Sequence, residues 1–228
     1  MTQAGYRHRI IVQDRSGSME SILAGAQSGL DEFLRGEDDA HGTGKVTVSI
    51  WDFDTEIRCV HSFELPGEVR GYQIRPRGAT NLYGAVGMAI VAEGEKLTAL
   101  PEDRRPEDVT VLVASDGEHN TTIEYTGQQV AAMLKRQQEE FSWRVLYMGC
   151  GAEAFAEGER MGTHHGLTVN TAHSNTGQQK AWKMSSDYLV RVPVASAAVA
   201  MGQSIDLTPE ERSLGESGDE EPTRQPEG

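Results

Sequence analysis

The chain has 228 residues, 37% of them hydrophobic and 25% charged, which suits one α/β domain with a real core and a short appendage and excludes disorder throughout. A formal net charge of −14 excludes a nucleic-acid surface, which needs a basic stripe to displace counterions, and disfavours unaided binding of acidic ligands. No run approaches the ~20 apolar residues of a membrane span and "MTQAGYRHR" carries no signal-peptide core, so the expectation is a cytoplasmic protein, virion-associated if a phage encodes it, with no membrane partner.

"HRIIVQD" (8–14) is a near-continuous apolar run ending in aspartate, as expected of a parallel strand buried on both faces. Behind it Met19, Ile22, Leu23, Ala26, Leu30, Phe33 and Leu34 recur at helical spacing. "KVTVSIWDFD" and "TEIRCVHSFE" (45–64) meet at Asp54 and Thr55 with no room for a helix, so they fold back as an antiparallel hairpin. Leu82, Ala85, Val86, Ala89, Ile90 and Leu97 mark a second helix, which leads into "DVTVLVASD" (108–116), another apolar run ending in aspartate. Val130, Met133, Leu134 and Phe141 share a third helical face. "WRVLYMGC" (143–150) reads as a strand, "GLTVN" (166–170) as a short sixth strand, and Ala181, Met184, Tyr188 and Leu189 as the last helix.

This order predicts an α/β fold over residues 1–205: a doubly wound, Rossmann-like, mostly parallel six-stranded sheet with one antiparallel edge strand and helices on both faces. Residues 206–228 hold eight acidic side chains against Arg212 and Arg224, with Pro209, Pro222 and Pro226, and read as a flexible acidic tail. Cys59 and Cys150 fall in apolar runs and read as buried thiols, not as a disulfide or metal site. Trp143 and Trp182 read as core.

In open α/β sheets ligands bind outside the carboxyl ends of the strands, at the switch in winding direction. Asp14 and Asp116 each end a strand that the pattern places centrally, and helices begin just after Ser18 and Asn81. Singly, Asp, Ser and Thr at a strand-to-helix turn are usually helix caps. Together Asp14, Ser16, Ser18, Thr80 and Asp116 form an oxygen-only donor set, which suits a hard cation such as Mg²⁺.

Those residues carry a resemblance to the von Willebrand factor A family, whose metal-ion-dependent adhesion site is written Asp-x-Ser-x-Ser, a distant Thr and a distant Asp. Here the three parts read "DRSGS" (14–18), Thr80 in "GATNL" and Asp116 in "SDG", and the likeness runs from about residue 8 to about residue 192. "FDTEIRCVHSF", "RPRGATNLYGAVG" and "LVASDGEHN" are similar to the small bacterial and phage single-domain members. The resemblance implies that Ser16, Ser18 and Thr80 coordinate Mg²⁺ or Mn²⁺ through hydroxyls, with Asp14 and Asp116 acting through water or by holding those hydroxyls. It implies a non-enzymatic protein-binding module in which a partner's carboxylate completes the metal, which reconciles an acidic chain with an acidic ligand. Arg15, Met19, Asn81, Tyr83, Glu118 and His119 are expected to ring the site. Two departures stand out: Gly84, where small bacterial members often carry Asp, and "GCGAEAF" (149–155) in place of "GAN-x-DA".

Other chemistries lack their motifs. There is no G-x-S-x-G nucleophile elbow and no phosphate-binding G-x-x-x-x-G-K-[ST], and Ser16 stands where a haloacid-dehalogenase-type phosphatase needs its second aspartate. A metal-dependent hydrolase would find no evident base beyond Asp116 or His119. An architectural subunit of a phage or stress-response assembly is a further reading. Self-association through a tail carboxylate such as Glu216 or Asp219 is another.

Overall fold

The computed structural model describes residues 2–40, 44–117, 121, 124–151, 153–163, 167–192 and 206–212. Its strands are β1 (Gln3–Asp14), β2 (Val46–Phe53), β3 (Ile57–Glu64), β4 (Pro106–Ala114), β5 (Arg144–Cys150) and β6 (Thr168–Thr171). The helices are α1 (Leu23–Ala40), entered through a 3₁₀ turn at Gly17–Ile22, then α2 (Leu82–Ala99), α3 (Gly127–Phe141), α4 (Ala154–Arg160) and α5 (Asn175–Arg191). The sheet order β3-β2-β1-β4-β5-β6, with β2–β3 antiparallel and the other pairs parallel, is the doubly wound arrangement read from the sequence.

The apolar runs become strands covered on both faces because alternate side chains must both find cover. On β1, Ile11 packs into one core with Ala26, Leu30 and Phe33 of α1 and Trp182 of α5, while Ile10 and Val12 join the other with Leu82, Val86 and Ile90 of α2 and Leu134 of α3. Each such aliphatic side chain withdrawn from water contributes ~1.5–3 kcal/mol. α3 starts at a capping box: the Gln129 backbone N–H donates to Thr126 Oγ1 and the Thr126 N–H donates to Gln129 Oε1. α5 starts at Ser174, whose Oγ accepts the Gly177 N–H at 3.0 Å. The first turn of α5 lies so close to α1 that a Cβ on Gly25 would stand 2.1 Å from the Asn175 carbonyl oxygen, so that position requires glycine.

Two expectations change. Cys59 is exposed, because β3 is an edge strand with little over its outer face. Residues 206–212, expected to open a flexible tail, are anchored instead: Leu207 is buried in the α1–α5 core, Thr208 leads a one-turn helix at Pro209–Arg212, and Arg191 pairs with Glu211 at 2.8 Å. The sequence pattern missed this because one leucine among acids carries no periodicity. Residues 213–228, with Glu216 and Asp219, lie outside the described residues, as do His164 and His165.

The amino-terminal end of the sheet is tied by a buried ion network. Asp108 Oδ2 accepts from Arg9 Nη1 and from Arg144 Nη2, each at 2.5 Å, and Arg9 Nε donates to Glu37 Oε1 at 3.0 Å. Burial alone would push the Asp108 carboxyl up, but the two guanidiniums outweigh it and hold the group below its ordinary value. Asp108→Asn is expected to cost about 3–5 kcal/mol in urea unfolding, because two buried guanidiniums lose their shared counter-charge. A depressed carboxyl stabilises fully above its unfolded value near 3.9, and that contribution is lost as pH falls through this value toward the lower folded one. Below about pH 4 the wild-type chain should therefore lose stability with acid more steeply than the variant, measured by urea melts at a series of pH values.

Candidate metal centre

β1 and β4 run parallel in a register that pairs Gln13 with Ala114, so Asp14, the last residue of β1, and Ser115–Asp116, just past β4, come side by side. The two strand ends brace each other crosswise. Ser115 Oγ, after β4, donates to Asp14 Oδ2 at 2.5 Å, while Ser18 Oγ, after β1, donates to Asp116 Oδ1 at 2.9 Å. Asp14 Oδ1 also accepts the Ser16 backbone N–H at 2.6 Å, which bends the chain so that Ser16 Oγ stands 3.0 Å from Ser18 Oγ.

Thr80 arrives on a loop docked by main-chain bonds. Gly17 N–H donates to the Gly78 carbonyl at 3.2 Å, Arg77 N–H to the Arg15 carbonyl at 2.8 Å, and Asn81 N–H to the Asp54 carbonyl at 3.1 Å. The point where a Cβ on Gly117 would stand lies 3.7 Å from Ser18 Oγ and 3.9 Å from Thr80 Oγ1, so both hydroxyls face the same small space. Asp14, Ser16, Ser18, Thr80 and Asp116 are thus brought together.

The donor set fits a hard cation. Oxygens that share an edge of an octahedron around Mg²⁺ at ~2.1 Å stand ~3.0 Å apart, close to the spacing of Ser16, Ser18 and Asp116 here. The Asp14 carboxyl is raised to about 6: burial pushes it up, hydrogen bonds from Ser115 and Ser16 offset part of the rise, and Asp116 adds to it. Neutral hydroxyls alone leave two adjacent carboxylates under-compensated, which is the condition a bound cation would relieve. Among the described residues no three His, Cys, Asp or Glu side chains converge, so hydroxyls supply much of the set.

No family model and no curated protein matches the sequence. Solved structures do match the fold. Proximal thread matrix protein 1 from the mussel byssus is 16% identical with a TM-score of 0.60, over 82% of this chain and 48% of that one. The von Willebrand factor domain of the type V pili tip protein Mfa5 from Porphyromonas gingivalis is 10% identical with a TM-score of 0.60, over 84% of this chain and 97% of that one. The fold is that of a von Willebrand factor A domain. A further structure of the mussel protein, 15% identical over 82% of this chain and 48% of that one with a TM-score of 0.60, has a zinc-occupied MIDAS motif. This chain therefore spans about half the length of the mussel protein it matches.

On this von Willebrand A fold several residues expected at the rim lie beneath the site. Arg15 is 2% exposed, with Nη1 2.5 Å from Asp54 Oδ2 and Nε 3.1 Å from Asp52 Oδ1. Met19 is in the core, and Asn81 is fully buried with Nδ2 donating to Glu124 Oε2 at 2.9 Å. With Ser16 and Ser18 directed at the site, the Arg15 and Met19 side chains that flank them turn inward, and Asn81 is drawn in by its bonds to Asp54 and Glu124. Tyr83 is partly buried, and Glu118 and His119 lie outside the described residues. Asp52 and Asp54 in "WDFD" are counter-ions, shared among Arg15, Arg58 and Arg77.

Three groups at the site escaped sequence reasoning. Ser115 was adjacent to Asp116 in "ASDG" and could have been suspected. His173, just before α5, places Nε2 2.9 Å from Asp116 Oδ2, and nothing local in the sequence connects the two. Glu124 answers the Gly84 departure: a Cβ at Gly84 would stand 2.5 Å from Glu124 Oε2 and 2.6 Å from Asn81 Oδ1, so a carboxylate from the loop after β4 takes the space an acidic side chain at 84 would need.

Arg15→Ala is expected to destabilise the chain by about 1–3 kcal/mol in chemical denaturation, since it removes the buried cation that Asp52 and Asp54 share and leaves them only the half-exposed Arg58 and Arg77. A change within about 0.5 kcal/mol, the ordinary range for an exposed rim residue, would contradict the buried placement.

Proposed function

We propose that this chain is a protein-binding module whose contact is a divalent cation, Mg²⁺ or Mn²⁺, held at Asp14, Ser16, Ser18, Thr80 and Asp116 and completed by a carboxylate of the partner protein. The convergence of three hydroxyls and two carboxylates at the β1–β4 switch carries this reading. When bound, the ion supplies positive charge and an open coordination position, because few of its direct ligands are anionic. The chain's own residues orient the donors: Ser115 and the Ser16 N–H fix Asp14, and Ser18 and His173 fix the two oxygens of Asp116. The likeness to domains of a pilus tip protein and of a byssus matrix protein supports an interaction role for the fold.

We infer that the module is not an enzyme. Asp14 and Asp116 are both engaged by hydroxyl donors, so neither stands ready as a general base. An architectural role in a phage or stress-response assembly is compatible with the same site, the ion then steadying a subunit contact. The chain has no helix among the described residues long and apolar enough to cross a membrane, and a cytoplasmic setting is part of the proposal.

Millimolar Mg²⁺ or Mn²⁺ should raise the Tm of the wild-type chain, because a ligand that binds only the native state stabilises it by about 2.7 kcal/mol at a hundred times its Kd. The rise should vanish in Asp14→Ala and Thr80→Ala, and capture of a host partner should be lost in EDTA. Capture that survives both chelation and Thr80→Ala would sink the proposal. Steady phosphatase or esterase turnover that follows added metal would replace it with the hydrolase reading.

A further inference from the structure

Next to Asp116, the carboxyl end of β5 and the start of α4 enclose a crevice of about 230 Å³. The Tyr147 ring, Cys150 and Ala154 form apolar walls, and Asp116, Glu153 and Glu157 supply the charge. Glu153 is exposed and unremarkable. Glu157 is different: its side chain is only 4% exposed, its Oε2 accepts from Arg160 Nη1 at 2.9 Å, and its Oε1 has no hydrogen-bond partner among the described residues. A buried carboxylate oxygen left unmatched costs free energy until a donor reaches it. Arg160 is set against three carboxylates here: after burial, Glu157 and then Asp14 push the Tyr147 hydroxyl up, and burial followed by a hydrogen bond with Glu157 does the same to Tyr83.

The shape and charge select a ligand class. A second metal is disfavoured, because among the described residues no group of three His, Cys, Asp or Glu side chains is placed to hold one. A guanidinium wants two carboxylate oxygens side by side, but one oxygen of Glu157 is already taken by Arg160. A primary ammonium is a point charge that one oxygen can serve, and the apolar walls suit a stem of four methylenes. We propose that this crevice seats a lysine side chain of the partner protein, beside the carboxylate that completes the metal. The inference rests on the binding function proposed above in one respect only: Asp116 belongs to both the metal centre and the crevice, so the partner must present its lysine within side-chain reach of its carboxylate. The chain's net charge of −14 favours the encounter.

The test uses the full chain in EDTA and three probes: the methylamides of N-acetyl-lysine, N-acetyl-arginine and the neutral N-acetyl-norleucine. Amide resonances of Gly117, Cys150, Gly151 and Glu153 report binding. The lysine probe should saturate with shifts confined to these residues, at least tenfold tighter than norleucine and tighter than arginine, and Glu157→Gln should weaken it at least fivefold. Equal binding of lysine and norleucine, or a preference for arginine, overturns the proposal; both comparisons are made on the wild-type chain and do not depend on the variant folding. A Glu157→Gln protein with a native spectrum and unchanged lysine affinity overturns it as well. Acetate titrated with Mg²⁺ present, read at Ser18, tests the metal reading separately. Loss of acetate binding with lysine binding intact would remove that reading alone, and the converse would remove the lysine site alone.

Discussion

The parallel pairing of β1 with β4 is the constraint on which the rest depends. It sets Asp14 and Asp116 side by side, although they lie in opposite halves of the chain, and it does so at the point where the winding direction reverses and the crevice between crossover helices must open. Two like charges at that spacing repel, and the observed remedy is reciprocal: the hydroxyl after each strand serves the carboxylate of the other. Such a brace fixes the oxygen donors by contacts within the chain, so little ordering free energy would be left for a bound cation to supply.

Behind the brace, Arg15 performs a mechanical task that its position between two site residues conceals. It threads beneath the turn to Asp52 and Asp54 at the end of β2, and Arg77 reaches Asp54 from the loop that carries Thr80. The three segments that build the site, 14–18, 52–54 and 77–81, are therefore joined through one buried charge network. Such a network is costly to desolvate and costly to break, which makes it better suited to fixing one geometry than to adding stability.

The remaining contacts come from loops far away in the sequence. His173 reaches Asp116 because Ser174 caps α5 at that point and Gly25 lets the helix approach α1. Glu124 occupies the space above Gly84, and Glu157 stands at the wall of the crevice next to Asp116. These acids and the histidine surround a site whose serine hydroxyls follow strand ends and whose threonine hydroxyl comes on the loop before α2.

Periodicity and residue type were enough to determine the sheet, its reversed edge strand and the helices on both faces, because buried parallel strands and amphipathic helices leave regular patterns along the chain, while the five oxygen-bearing positions were read from residue type and the adhesion-site resemblance. Which of the neighbouring side chains face the cluster of oxygens was decided only by tertiary structure. Arg15, Met19 and Asn81 read as rim residues from their place in the sequence, yet backbone direction at the turn sends them inward, and no local pattern encodes that. Leu207 likewise found its core partners, and Cys59 its exposure, through the position of each segment relative to α1, α5 and the sheet edge. His173, Glu124 and Glu157 meet the site through contacts between residues far apart in the chain, and such contacts exist only once the strands have paired.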